Sequence, residues 1–317
     1  MKAVVQDRYG PPTVLRIAEV DRPEPKANEI LIRVHASTVS QTDTHVRAAH
    51  PFFWRLIGGV RRPRWRTLGV DLAGEVEEVG SAVTEFNVGD AVFGSPSALL
   101  GCHAEYVCSR TGRALALKPA GMTFEEAAAT YDGGSQALSA MRQAEVQMGQ
   151  RLLIYGASGS LGTAAVQLAK HLGAHVTGVT SSKHVDLVRS LGADEVIDYT
   201  RQDFTKTGET YDAIIDAVGK HHFRRSRRAL KPGGVFVATD GLENVALWAV
   251  MRLFGRRRLR FASGRRSKDD IELLKQLVEA GEYRPVIDRT YPMAEVAEAH
   301  RYVDAWHKAG NVVLTIP

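Results

Sequence analysis

Cysteine is nearly absent from this chain: Cys102 and Cys108 are the only two among 317 residues. Two thiols exclude a disulfide-stapled scaffold and cannot supply a four-cysteine structural zinc site. Long apolar runs are also missing, so no segment reads as a membrane-spanning helix. The opening Met1-Lys2-Ala3-Val4-Val5-Gln6-Asp7 has no apolar signal region and reads as a first β-strand. That makes the cytoplasm the expected address. No internal repeat or low-complexity tract is present. No Tyr-x-x-x-Lys pair occurs either, which removes the proton relay of short-chain reductases.

Neither sign of charge dominates: 41 Lys and Arg face 36 Asp and Glu, a net +5. The excess is local, at Arg224, Arg225, Arg227 and Arg228, then at Arg252, Arg256, Arg257, Arg258, Arg260, Arg265 and Arg266. Such a cluster reads as solvated faces with a general pull on anionic ligands. An anionic-membrane or nucleic-acid patch is the other reading. Aromatics are not interleaved as in a base-stacking platform, so no nucleic-acid partner is expected. At 44% hydrophobic and 24% charged the composition is that of a soluble globular protein, and 317 residues can bury two cores.

What is present is a glycine turn. The apolar run Leu152-Leu153-Ile154-Tyr155 leads into Gly156-Ala157-Ser158-Gly159-Ser160-Leu161-Gly162, and an amphipathic stretch follows at once. Strand, tight turn and helix in that order let backbone N–H groups and a helix N-terminus face a phosphate. The spacing is G-x-x-G-x-x-G, not the usual G-x-G-x-x-G, and a glycine turn can also do no more than join a strand to a helix. A hydrolase nucleophile elbow needs G-x-S-x-G, which Ser158 and Ser160 do not provide.

Beyond the turn, apolar runs at 175–180, 195–199, 211–218, 234–239 and 259–262 alternate with helical periodicity at 183–191, 221–230 and 245–254. Gly173, Gly192 and Pro232-Gly233-Gly234 punctuate the ends. Repeated strand–helix units predict a six-stranded, doubly wound parallel sheet. The first part differs. Short strand candidates at 2–6, 29–37, 74–79, 90–93 and 104–107, separated by Gly, Pro and Asp, predict a β-rich domain of barrel type. Helices are predicted at 123–140, 271–280 and 294–306, and a last strand at 311–316. The expected organisation is a substrate domain from 1–122 and 263–317, with a nucleotide-binding domain of 123–262 inserted between its parts.

The cofactor can be read at the second strand of that sheet. An acid there would hold the ribose hydroxyls of NAD. The strand instead ends in Thr180-Ser181-Ser182-Lys183-His184, and Asp186 falls inside the next predicted helix. Hydroxyls and a lysine suit the 2′-phosphate of NADP(H). A helix cap beside a surface lysine is the plainer reading of the same residues.

Taken together, the motifs resemble one family. They are Gly69-Val70-Asp71-Leu72-Ala73-Gly74-Glu75-Val76, Val88-Gly89-Asp90-Ala91-Val92-Phe93-Gly94, Ala104-Glu105-Tyr106-Val107, the glycine turn, Leu191-Gly192-Ala193-Asp194, Asp216-Ala217-Val218-Gly219 and Glu298-Ala299-His300. In this order, over nearly the whole chain, they resemble the medium-chain dehydrogenase/reductases, in their zinc-independent quinone oxidoreductase branch. The resemblance implies a Rossmann doubly wound sheet inserted into a GroES-like barrel domain, with an active site in the cleft between them. Zinc-dependent relatives carry a cysteine where this chain has Ser40, and His-Glu where it has Val70-Asp71. Valine cannot ligate a metal and a serine hydroxyl is a poor zinc ligand, so no metal is expected.

The implied reaction is hydride transfer from NADPH to a quinone or an α,β-unsaturated carbonyl. A non-enzymatic NADPH-binding sensor or adapter is a second reading, and a zinc-dependent alcohol dehydrogenase a third. For the cofactor the expected residues are Gly156, Ala157, Ser158, Gly159, Ser160, Leu161 and Gly162 at the pyrophosphate, and Ser181, Ser182 and Lys183 at the 2′-phosphate with Tyr199 packed near it. Val218, Gly219, Thr239 and Gly241 are expected at the nicotinamide end, and Asn311 is included in the same set. On the substrate side, Asn-x-x-Asp-x-x-x-Arg of zinc-free relatives reads Ser40, Asp43 and Arg47 here. Asp43 and Arg47 could instead form a buried salt bridge that orders the cleft. Tyr131 could donate to a developing oxyanion or pack its ring in the core. Asp132 beside it has no evident role. The segment 50–66 could cover the substrate or meet a partner. The resemblance implies a homodimer through the edge strand 258–263, whose arginines could instead protect that edge from pairing.

Overall fold

A computed structural model describes residues 1–96, 100–253, 258–262 and 267–317. Arg256, Arg257, Arg265, Arg266 and the side chain of Arg252 lie outside the described residues, as do Phe254 and Ser263, which end the predicted helix 245–254 and the edge strand 258–263. The chain divides into two compact units, Met1–Asp132 with Arg266–Glu279 and Pro285–Pro317, and Gly133–Arg265 with Ala280–Arg284.

The first unit is β-rich. Strand β1 (Lys2–Val5) pairs antiparallel with β2 (Arg16–Glu19). Strand β3 (Glu29–Thr38) is followed by helices α1 (Gln41–Ala48) and α2 (Phe53–Gly58), then by β4 (Leu72–Val79), β5 (Ala91–Ser95), β6 (Tyr106–Arg110) and β7 (Ala114–Leu117). Helix α3 (Phe124–Ala144) follows, and the division between the units falls within it, after Asp132.

The second unit alternates. It runs β8 (Arg151–Tyr155), α4 (Ser160–His171), β9 (His175–Thr180), α5 (Val185–Ser190), β10 (Glu195–Asp198), β11 (Tyr211–Asp216), α6 (Phe223–Ser226), β12 (Leu230–Ala238), α7 (Leu242–Leu253) and β13 (Leu259–Phe261). The chain ends with α8 (Lys268–Glu279), β14 (Ile287–Pro292), α9 (Val296–Asp304) and β15 (Asn311–Thr315).

In the first unit β3 is the organiser. It pairs antiparallel with β4 along one edge, and with β6 and then β15 along the other. Sheet order is β14-β15-β3-β4-β5-β7. Alternating Ile30, Ile32 and Val34 of β3 join Leu72, Val76, Val92, Val312 and Leu314 in one apolar cluster, so a single long strand feeds most of this core. Two register shifts in the β3–β4 pair let the sheet bend.

The second unit carries six parallel strands in the order β10-β9-β8-β11-β12-β13. The order reverses direction at β8 and β11, the switch point at which doubly wound sheets bind ligands. Helix α4 is buried at every position from Leu161 to Ala169, and Gly162, Ala164, Ala165 and Ala169 have little or no side chain to hold it off the sheet.

Several predicted elements change length for identifiable reasons. The stretch 221–230 holds only the short α6 and a 3-10 turn, because Asp216 draws the preceding loop inward and Leu230 already pairs with Tyr211. Pro232-Gly233-Gly234 does not end a helix. It sits within β12 where the register slips between Leu230 and Val235, with Gly233 at φ +83. Strands β2, β7 and β14 and helices α1 and α2 were not predicted.

Candidate active site

The glycine turn takes the shape its sequence requires. Gly156 has φ +80, and its N–H and that of Ala157 both donate to the Val179 carbonyl. A Cβ on Gly162 would lie 2.1 Å from the Gly156 oxygen, so nothing larger than glycine lets α4 start there. Gly159 is different. A Cβ there would meet only the Gly156 oxygen at 3.6 Å, with an ordinary φ of −75. Among the described residues no clash demands glycine at 159, so the turn is open there to the close approach of a ligand. Gly159 is also the N-cap of α4, whose first N–H groups have no acceptor within the helix. The Ser158 hydroxyl accepts from Thr180 at 2.9 Å, tying the turn to the tip of β9. Ser160 Oγ would lie 2.4 Å from a Cβ on Gly133, which accounts for a glycine at that point of α3.

At the tip of β9, Ser181, Ser182 and Lys183 enter a 3-10 turn that precedes α5. Lys183 is exposed and forms no ion pair among the described residues. Asp186 is fully exposed. Sequence reasoning missed Asp198. It ends the neighbouring strand β10 and accepts from the Ser182 hydroxyl, and those bonds, with others from Thr200, hold its carboxyl below the usual range. Ser182 therefore has one bond committed to an anion. Tyr199 is half exposed, its ring 6.3 Å from that of Tyr155.

Two loops after β11 and β12 abut each other. Asp216 is fully buried at the end of β11, and its carboxylate accepts from the N–H groups of Val218 at 3.2 Å and His221 at 2.7 Å. Burial nonetheless pushes its pKa up to about 6, against those bonds. Thr239 Oγ1 donates to the Asp216 carbonyl. Gly219 has φ +65, and a Cβ on it would press on Asp240 at 2.6 Å. Asn244 of α7 accepts from Phe223 N–H and donates to the His221 carbonyl. His221 is wedged between Tyr155 and Phe204, and burial, then Arg225, pulls its pKa down to about 4. Val218, Gly219, Thr239 and Gly241 thus stand on a scaffold of Asp216, His221 and Asn244. The sequence carries a signal for Asp216 in the motif Asp216-Ala217-Val218-Gly219.

The substrate-side residues lie in the first unit. Ser40 caps α1 in a reciprocal box: Asp43 N–H donates to Ser40 Oγ, and the Asp43 carboxylate accepts from Ser40 N–H and Oγ. The other Asp43 oxygen accepts from Gly69 N–H at 2.8 Å. Contrary to the buried salt bridge expected as an alternative, Asp43 and Arg47 are not paired with each other among the described residues. Arg47 pairs with Asp304 of α9 at 2.8 Å, and also donates to Gly10 O and to His300 Nδ1. The reason is the box, which turns the Asp43 carboxylate toward the helix start, while Arg47 points from the last turn toward α9.

A buried polar seam runs on from His300. Its Nδ1 accepts from Arg47, so the proton sits on Nε2. Its ring meets His103 edge-on, and His103 Nε2 donates to the Thr38 carbonyl. Thr38 N–H and Oγ1 in turn donate to Asp71, which is fully buried. Burial raises the Asp71 pKa well above the usual range, and the charges of Asp132 and Asp43 raise it further. Asp132 now has surroundings: it acts on Asp71 and on Lys308, whose pKa burial pulls down to about 8 against the pull of Asp132 and Asp288. Tyr131 is among the largest fully buried side chains. The Asn311 side chain donates to the Ala129 and Val286 carbonyls. Cys102 is buried, and burial pushes the Cys108 thiol up to about 11, so neither offers a ready thiolate. Among the described residues no group of three or more His, Cys, Asp or Glu is placed to hold a metal ion.

Comparison with known proteins matches this architecture in both parts. Residues 26–154 match the alcohol dehydrogenase GroES-like domain family, and residues 191–314 the zinc-binding dehydrogenase family. The mouse "NAD(P)H oxidoreductase RTN4IP1, mitochondrial" is 33% identical, over 100% of this chain and 89% of its own length. The chain belongs to the medium-chain dehydrogenase/reductase superfamily. Another curated member, the "NADPH-dependent alkenal/one oxidoreductase, chloroplastic" of Arabidopsis thaliana, is 31% identical over 99% of this chain and 79% of its own. The solved quinone oxidoreductase of Coxiella burnetii superposes with a TM-score of 0.91 at 31% identity, covering 100% of this chain and 99% of that one. This medium-chain dehydrogenase/reductase therefore carries the GroES-like and Rossmann units of its family, on the quinone oxidoreductase-like branch.

Proposed function

We propose that the chain is a zinc-independent, NADPH-dependent oxidoreductase that delivers hydride to a quinone or an α,β-unsaturated carbonyl. The observation that carries the reading is Gly159, bare without internal need at the N-terminus of α4, in a chain whose relatives are named as alkenal/one and quinone oxidoreductases. NADPH, when bound, supplies the hydride, and the protein supplies orientation and electrostatics.

The turn from Gly156 to Gly162 would hold the pyrophosphate through backbone N–H groups. Ser181 and Lys183 would take the 2′-phosphate beside Tyr199, and Ser182 would contribute through its backbone N–H, because its one hydroxyl proton goes to Asp198. Val218, Gly219, Thr239 and Gly241 would line the nicotinamide end, with Asp216 fixing the loop that bears the first two. We assign Ser40, Asp43, Arg47 and Asn311 to positioning, because their polar atoms are bonded within the protein. Tyr131 is the hydroxyl we assign to a developing oxyanion. Val70 and Ser40 stand where zinc-dependent relatives place ligands, and Ser40 Oγ is committed to Asp43.

Among the described residues no helix is long and apolar enough to cross a membrane. A cytoplasmic address and a homodimer through β13, which ends the second unit's sheet, belong to the same proposal. The test is NADPH oxidation by metal-stripped protein with an ortho-quinone as acceptor. Turnover is the expected result. Absence of turnover, with NADPH bound in the same sample, would replace this reading with a sensor or adapter.

A further inference from the structure

Helix α2 has two apolar faces and only one of them is buried. Trp54 packs on the first unit's core, and Gly58, one turn later, lies against Trp65 and Tyr9. The opposite face holds Phe53, Leu56 and Ile57, with Phe52 at the N-cap and Val60 just beyond the helix. Their exposures are 41%, 69%, 54%, 64% and 59% in that order. At ~100° per residue the first four side chains cover an arc of about 140°. An isolated exposed leucine needs no explanation, but five adjoining large apolar side chains do.

The segment that carries this face has one sign of charge. No Asp or Glu occurs between Asp43 and Asp71, whereas Arg55, Arg61, Arg62, Arg64 and Arg66 do. Arg66 is neutralised by Asp7. Arg55 lies over the rings of Tyr9 and Phe52. Arg61, Arg62 and Arg64 are exposed, and none has an ion pair among the described residues. The chain holds them beside the helix: Arg64 N–H donates to the Gly58 carbonyl at 2.6 Å, closing a tight loop on the helix end.

We propose that this face docks on the surface of an anionic lipid bilayer. Phe52, Phe53, Leu56, Ile57 and Val60 enter the headgroup–acyl boundary, and Arg61, Arg62 and Arg64 meet lipid phosphates and carboxylates. A short helix, apolar outward and rimmed by arginine, suits in-plane insertion and not a span. A second copy of the chain fits poorly, because a twofold contact through the patch would set these arginines against their own counterparts. A nucleic acid would leave the apolar arc without a partner.

The experiment is vesicle flotation of the full-length protein, using phosphatidylcholine alone and phosphatidylcholine with phosphatidylserine. Binding is expected on the mixed vesicles only, and to fall with added salt. The double variants Leu56→Glu/Ile57→Glu and Arg61→Glu/Arg62→Glu should each weaken it by about tenfold or more. All four residues are exposed, so unchanged melting of both variants is the control for folding. No binding to either vesicle overturns the proposal. So does equal binding with and without phosphatidylserine, or binding that survives both variants. A dimer in sedimentation that Leu56→Glu/Ile57→Glu dissolves, or RNA binding lost in the arginine variant without lipid binding, also overturns it.

Discussion

Among the described residues the Asp71 carboxylate accepts from Thr38, through its N–H and its hydroxyl, in full burial with Asp132 and Asp43 nearby. Its folded pKa is raised, so the native state keeps the proton to higher pH than the unfolded chain does. The stability it contributes is complete below about pH 4 and is lost as the pH rises through the folded value. Asp71→Asn keeps an oxygen for both Thr38 donors and cannot ionise. The variant should melt at or above the wild-type temperature at about pH 8, with the advantage shrinking toward about pH 4. A variant that is less stable at the alkaline end would contradict the assignment. Arg47 makes the opposite case. Its three bonds use the fork of a guanidinium, which an ammonium cannot reproduce. Arg47→Lys should cost about 2–4 kcal/mol in urea denaturation. A loss of kcat with stability intact would instead place Arg47 on the substrate.

At the scale of an element, the glycine turn separates two demands that look alike in the sequence. Gly162→Ala must move either α4 or the Gly156 carbonyl, so it should lower the melting temperature sharply. Gly159→Ala has room and should cost only about 0.5–1 kcal/mol of folding, while NADPH affinity falls at least about tenfold. Calorimetry and a fluorescence titration on the same two proteins separate these effects. If Gly159→Ala binds NADPH as wild type does, the pyrophosphate assignment fails. Strand and helix periodicity made the second unit readable, because its strands are buried on both faces and bounded by glycines. It could not reveal β2, whose residues are mostly exposed, nor α1, a short helix whose start is marked only by Ser40 and Asp43. Roles that depend on neighbouring elements were illegible for the same reason. Ser182 meets Asp198 across two strands, and Arg47 meets Asp304 from opposite ends of the sequence.

Across the whole molecule, buried titrating groups oppose one another in sign. In the second unit His221 has its pKa pulled down to about 4, and Asp216 has its own pushed up to about 6. For His221 the unfolded chain binds the proton first as the pH falls. The stability His221 contributes is therefore complete above its unfolded value and drains away toward about pH 4. For Asp216 the native state binds first, so its contribution is complete in acid and is lost as the pH rises through about 6. Each displacement is worth on the order of 3 kcal/mol at its limit, and the two windows nearly coincide. The first unit repeats the opposition with His300 lowered and Asp71 raised. Wild-type stability should consequently stay nearly level between about pH 4 and about pH 6.5. Removing one member exposes the other. In His221→Gln, stability should rise as the pH falls across that interval, driven by Asp216. In Asp216→Asn it should fall, driven by His221. The comparison is of slopes in chemical denaturation, because both substitutions also remove contacts that matter at every pH. Parallel slopes in the two variants would mean that these groups do not set the pH response.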